Sequence, residues 1–355
     1  MTETIINVIK VFTVGFFSFI LAFLITPTLS NFLYKHKLWK KEAKNRSIDG
    51  KTVKYFEKFH SKDELKIPRI GGLLIWVSVV FLSFFFLILS YIFDSFWIQK
   101  INFISRNQTW LPLFTLITAS LVGLADDLLQ VLDRIKDKYI KKGLSLRYRI
   151  LLVSLIGLVG SWWFYSRLGQ DFIYLPMFGN IHLGIFYIPF FIIVMIAIYS
   201  GGVIDGIDGL SAGTFASIFT AYTAIALFQG QINLATFCIA IVGSLLAFLW
   251  FNIPPARFYM GETGVIGLTA TLTVVAFLTN AVAVLPIIAF LLVITSASVI
   301  IQLSAKKLFN KKVFLAAPLH HHFEAVGWPH YKVTMRFWII GVVVAILGVV
   351  IHLLG

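Results

Sequence analysis

Apolar residues run along this chain in continuous blocks of about twenty, separated by short polar stretches, and they follow neither the strand period of two nor a narrow helical stripe. Each block is long enough to cross a hydrocarbon layer of about 30 Å as a helix. Ten blocks are legible, at 6–33, 71–94, 110–125, 149–166, 183–199, 207–228, 232–251, 264–281, 284–304 and 336–354. A membrane β-barrel needs short segments of alternating polarity. The pattern therefore predicts an all-α polytopic protein with about ten transmembrane helices, forming one membrane domain over 1–355. The first block follows Glu3 and lacks a small-residue cleavage pattern, so it is expected to stay as a helix.

Composition strengthens this picture: 13% of the residues are charged, against roughly 25% in soluble domains. The net charge of +14 would suit nucleic acid, but the distribution of the charge argues otherwise. Twelve Lys and Arg fall in 34–70, seven in 126–149 and six in 305–336, whereas the intervening loops carry only Lys100, Arg106 and Arg167. Positive-inside bias puts those basic loops in the cytoplasm and both termini outside. Topology and anionic lipid headgroups account for the charge, and no nucleic-acid partner is expected. Cys238 lies in an apolar span and is read as a packing residue.

Acids and histidines at membrane depth are costly and mark function. Five polar motifs fall at cytoplasmic ends of spans in a topology derived from Lys and Arg alone. Asp126 and Asp127 close the third span, where adjacent carboxylates repel unless a hard cation or a basic group neutralises them; the bland reading is a solvated helix end. In Asp205-Gly206-Ile207-Asp208-Gly209 the two acids share one face of a helical turn and the glycines admit ligand atoms close to the backbone. A tight turn with local side-chain bonding would look the same. Asn252, Arg257, Tyr259 and Glu262 offer an amide, a guanidinium, a ring and a carboxylate in one loop; alternatively Glu262 only serves a helix macrodipole. His320, His321 and His322 cannot all face one metal from a regular helix, whose residues turn about 100° apart, but histidines suit phosphate contact or proton transfer near neutral pH. Lys66-Ile67-Pro68-Arg69-Ile70-Gly71-Gly72 enters the second span, and close helix packing alone explains its glycines. Together these groups suit transfer of a phosphate-linked group at a membrane surface. Mg²⁺ would be held by one or two carboxylates with substrate phosphates completing its shell, neutralising the diphosphate as a lipid phosphate attacks in line.

In this order the motifs resemble the polyprenyl-phosphate N-acetylhexosamine-1-phosphate transferase superfamily, and within it the phospho-N-acetylmuramoyl-pentapeptide transferase branch. The most specific match is Ala317-Pro318-Leu319-His320-His321-His322-Phe323-Glu324 with Gly327-Trp328-Pro329 and Arg336-Phe337-Trp338-Ile339. Lys142-Gly143-Leu144-Ser145 with Arg147, and Trp250-Phe251-Asn252, agree with it. The resemblance implies ten spans, a catalytic cleft at the cytoplasmic face, Mg²⁺ dependence, a homodimer, and a reaction joining UDP-MurNAc-pentapeptide to undecaprenyl phosphate with release of UMP. It implies that Asp126 acts on the lipid phosphate as base or metal ligand with Asp127 beside it, and that Glu262 takes the magnesium-ligand position. It also implies that Asp205, Gly206, Ile207 and Asp208 border the uridine, Tyr259 stacks on uracil, and His320 to His322 line the diphosphate. Asn252 and Lys66 are further substrate-binding candidates; Glu64 stands at the position of the usual substrate-binding lysine, and Lys66 flanks it.

Departures from the family pattern keep two alternatives open, a UDP-GlcNAc-type donor and a catalytically silent member. Tyr199-Ser200-Gly201-Gly202-Val203-Ile204 lacks both asparagines that the family has before Asp205. Glu262 replaces an aspartate with a carboxylate that reaches roughly 1.5 Å farther, and Ile67 to Gly72 is closer to the GlcNAc branch. Every version that includes chemistry requires Asp126, Asp205, Glu262 and His321 to converge.

Overall fold

In hydrocarbon every backbone N–H and C=O has to be paired within its own segment, so the apolar blocks become helices. The computed structural model describes residues 2–39, 67–131 and 143–355. Among the described residues, ten helices are long and apolar enough to cross a membrane. Helix α1 spans Glu3–Lys35, and α2 (Leu73–Ile92) is entered through a 3-10 turn at Ile70–Gly72. A short α3 (Phe96–Ile101) precedes α4 (Trp110–Val131) and α5 (Leu146–Arg167). Strands β1 (Phe172–Leu175) and β2 (Gly179–His182) form an antiparallel hairpin pairing Phe172 with His182. Then come α6 (Tyr187–Ser200), extended by a 3-10 turn at Gly201–Ile204, α7 (Leu210–Phe228), α8 (Ile232–Asn252) and α9 (Gly261–Leu278). A short α10 (Leu285–Ile288), α11 (Phe290–Phe309), a short α12 (Leu319–Ala325) and α13 (His330–Leu354) complete the chain.

Helix α9 is the axis of the bundle: every residue from Gly261 to Leu278 except Glu262 is buried. It packs most closely on α4, while α1 lies on α8, α7 on α8 and α13, and α5 on α6. The α4–α9 contact depends on Gly123, where a Cβ would overlap the backbone carbonyl of Glu262; small residues are what let membrane helices approach this closely. Peripheral helices turn large apolar groups outward, among them Phe12 and Phe16 of α1, Leu151 of α5 and Val343 of α13. Such a surface belongs against lipid tails.

The expected spans and the helices agree, with differences that have physical reasons. Helix α4 runs on to Val131, so the Asp126–Asp127 pair lies within its last turns and does not end it; Leu128 and Leu129 continue the helix, and each carboxylate finds a partner on another segment. The expected span 284–304 is broken at Ala289 into α10 and α11, Pro286 opening the first of them. The β1–β2 hairpin was not expected, its strands being only four residues each. It sits at the bundle end occupied by Gly355, whose carbonyl accepts the Tyr174 hydroxyl.

Candidate active site

Neighbouring side chains on a helix diverge by about 100°, and Asp126 and Asp127 use this to face different elements. Asp127, 1% exposed, turns to α9: its Oδ1 accepts the Glu262 N–H at 3.1 Å and its Oδ2 the Thr263 N–H at 2.9 Å. The leading amides of a helix have no partner within it, and here a carboxylate from another helix supplies one. Asp126 is fully buried and turns the other way. It accepts the Leu144 N–H, the Gln130 amide at 3.0 Å and Arg149 Nη2 at 3.0 Å. Arg149, in the first turn of α5, also forms an ion pair through Nη1 with Glu262, and its Nε donates to the Leu144 carbonyl at 3.0 Å.

The loop between α6 and α7 meets this cluster from another side. Asp205 accepts the Ser211 hydroxyl at 2.7 Å and the Gly261 N–H at 3.2 Å. Burial pushes its carboxyl above the usual aspartate range; the Ser211 hydrogen bond and the Arg69 guanidinium oppose the shift. Asp208 accepts the Ala256 N–H at 3.1 Å. Asn252, almost fully buried, accepts the Gly209 N–H at 3.0 Å and donates to the Phe258 carbonyl at 2.8 Å, tying the two loops together. Tyr259 donates its N–H to the Pro68 carbonyl at 2.7 Å and accepts the Gly71 N–H at 2.9 Å, clipping the entry of α2 to the start of α9. Ile207 is buried.

The histidine run lies on α12 and divides as the helical turn requires. His320 and His321 have ring centroids 4.3 Å apart, and both press on Gly206, where a Cβ would overlap His320 Nε2 and lie 3.0 Å from His321 Nε2. Only glycine fits there. His321 Nδ1 hydrogen-bonds Glu324 Oε2 at 2.6 Å, and the other oxygen of Glu324 bonds His330 Nδ1. A carboxylate at Nδ1 holds the proton there and turns Nε2 toward Gly206. His322 faces away, accepting the Leu315 N–H at 3.2 Å beside the Phe314 ring.

Contacts thus run from His320 and His321 to Gly206, from Asp205 to Gly261, from Asp127 to Glu262 and Thr263, and from Asp126 through Arg149 to Glu262. The motifs around Asp126, Asp205, Glu262 and His321 meet at one end of the bundle. Asp208 and Asn252 hold backbone, His322 stands apart, and Lys66 lies outside the described residues. Sequence reasoning missed Arg149, which it counted only as a topological charge, Glu324 as the partner of His321, and His330 as the second partner of Glu324; the i,i+3 spacing of His321 and Glu324 was the available signal. Among the described residues no three His, Cys, Asp or Glu side chains gather as a metal-binding group. Asp126 and Glu262 do share one cationic partner, and two carboxylate oxygens are what Mg²⁺ takes from a protein when substrate phosphates and water complete its shell.

A family model described as glycosyl transferase family 4 matches residues 109–280. Among curated relatives, the phospho-N-acetylmuramoyl-pentapeptide-transferase of Geobacillus sp. (strain WCH70) is 33% identical over 339 residues, covering 94% of this chain and 95% of the relative. The protein of that name from Levilactobacillus brevis is 34% identical over 284 residues, covering 79% and 83%. That from Pelagibacter ubique is 36% identical over 267 residues, covering 69% and 72%.

Proposed function

The chain belongs to the phospho-N-acetylmuramoyl-pentapeptide-transferase family, and from that premise we propose that it moves phospho-MurNAc-pentapeptide from a UDP donor onto undecaprenyl phosphate, yielding lipid I and UMP. It is a multi-pass protein of a bacterial membrane, with the Asp126–His321 end of the bundle toward the cytoplasm, where the basic loops and the water-soluble donor are, and it works as a homodimer. One observation carries the reading: carboxylates and imidazoles from segments far apart in sequence meet at a single bundle end, Asp126 and Glu262 being joined by one guanidinium across more than a hundred residues.

In the transfer, an oxygen of the lipid phosphate forms a bond to the sugar-bearing phosphorus of the donor while the bond from that phosphorus to the UMP oxygen breaks. Asp126 and Glu262 are the residues that would hold Mg²⁺, which when bound neutralises charge on the diphosphate oxygens. Asp126 faces the lipid phosphate and Asp127 fixes α4 against α9, so that Asp126 keeps its place. The stretch from Asp205 to Asp208 borders the uridine, with Tyr259 against the uracil. His321, oriented by Glu324, presents Nε2 to the diphosphate together with His320. The UDP-GlcNAc alternative, suggested by Ile67 to Gly72, is not favoured, because the relatives reported above carry the muramoyl-pentapeptide name over most of the chain.

The test is an assay of detergent-solubilised protein with Mg²⁺, undecaprenyl phosphate and UDP-MurNAc-pentapeptide. UMP release that unlabelled UDP-GlcNAc does not compete away is expected. Absence of UMP release, or equal use of UDP-GlcNAc, overturns the assignment.

A further inference from the structure

Arg149 is the least expected member of the site. Its guanidinium contacts Asp126 at 3.0 Å with one terminal nitrogen and Glu262 with the other, while Nε is anchored on the Leu144 carbonyl at 3.0 Å. The Leu144 N–H returns to Asp126. The segment from Gly143 to Arg149 is therefore folded over Asp126, and at Gly143, with φ of +76°, a Cβ would lie 2.6 Å from Asp126 Oδ1. Asp126 has no solvent exposure in this arrangement, and the side chains of Arg149 and Glu262 are 18% and 21% exposed.

Two carboxylates that face one point repel each other. A single guanidinium cancels one of their two charges, whereas a divalent cation cancels both, and both kinds of cation need the same oxygens. The planar fork released from the carboxylates also has the geometry that matches a phosphate. We propose that Arg149 is the resident counter-charge of Asp126 and Glu262 and yields both carboxylates when a divalent cation enters, becoming free for the donor's phosphate oxygens. This rests on the assignment of Asp126 and Glu262 as the cation-holding pair under the function proposed above. Arg149 thereby sets how readily the site accepts its ion and, once released, is a substrate-binding group.

The experiment uses full-length protein in detergent without substrates, with Mn²⁺ as the probe followed by electron paramagnetic resonance. Arg149→Gln is expected to bind Mn²⁺ about tenfold more tightly than the wild type, the size of one strong pairwise coupling, with Arg149→Lys in between. Equal or weaker binding by Arg149→Gln overturns the proposal. A second measurement needs no variant: phenylglyoxal modification of Arg149, read by peptide mass spectrometry, is expected to speed up when Mn²⁺ is added to the wild type. An unchanged or slower rate overturns the handover. UMP release measured alongside separates the two layers. Normal release with neither Mn²⁺ readout moving removes the handover and leaves the transferase; both readouts moving without release keeps the handover and removes the transferase.

Discussion

The two ends of α9 solve one problem with different chemistry. At its carboxyl end, orphan carbonyls are met by neutral amides: the Gln231 side chain donates to the Leu278 carbonyl at 3.0 Å and the Gln229 side chain to the Thr279 carbonyl at 2.7 Å. At its amino end the N–H groups of Gly261, Glu262 and Thr263 are met by the carboxylates of Asp205 and Asp127, with Asp126 and Glu262 adding two more acids nearby. Glutamine shows that neutral caps suffice to end this helix inside a membrane protein. Capping alone does not explain four acids at the other end, since burying charge is costly unless something compensates it. Under the proposed function, the surplus of negative oxygen is what sets the reacting end apart from the structural one, and burial of polar groups does not.

The largest test of that contrast is Asp126→Asn, which keeps the shape and removes the charge. Turnover measured as UMP release is expected to fall about a thousandfold, within the range for loss of a group acting at the reacting centre. Unchanged turnover would mean the amino end is charged for some other reason. Next is Asp127→Ala, which strips the Glu262 and Thr263 amides of their acceptor. It is expected to lower stability in a thermal unfolding measurement by about 2–3 kcal/mol, and Asp127→Asn, which keeps one acceptor, should recover part of that. Glu324→Gln sharpens the comparison at the His321 rim. It should reduce kcat about tenfold to a hundredfold, as loss of an orienting partner does, with little change in unfolding temperature; an unchanged kcat would remove His321 from the reaction. Smallest is Gln231→Leu at the opposite end, expected to cost about 1 kcal/mol of stability and nothing in turnover. A turnover defect there would erase the distinction between the ends.

How much of this was legible in the amino-acid order depends on what decided each feature. Bilayer thickness sets span length, so blocks such as 232–251 appear almost unchanged as Ile232–Asn252. The end of α4 was misplaced because the cost of carrying Asp126 and Asp127 in a helix is offset by Arg149 on α5 and the amides of α9, and neither partner is local. That the histidine run divides was legible, since residues about 100° apart on a helix cannot all face one point; which imidazole leaves was not, because all three were expected along the diphosphate and His322 turns instead to Leu315 and Phe314. Arg149 was not: its pairing with Glu262 spans 113 residues, and a charge in a basic loop carries no mark of its destination. The break at Ala289 had a visible cue in Pro286, outweighed by the continuous apolar run around it.

The commitment of α9's leading amides has a consequence for how anions are received. Many folds greet a phosphate directly with the positive pole of a helix, but here that pole is sealed by Asp205 and Asp127 before any substrate arrives. Under the proposed function a diphosphate reaching this rim would meet oxygen where it would otherwise meet N–H, and its attraction would be lent by mobile or movable positive groups. Nucleotide affinity should therefore track the supply of dissolved divalent salt, and a bare nucleoside, with no phosphates to neutralise, should escape that dependence.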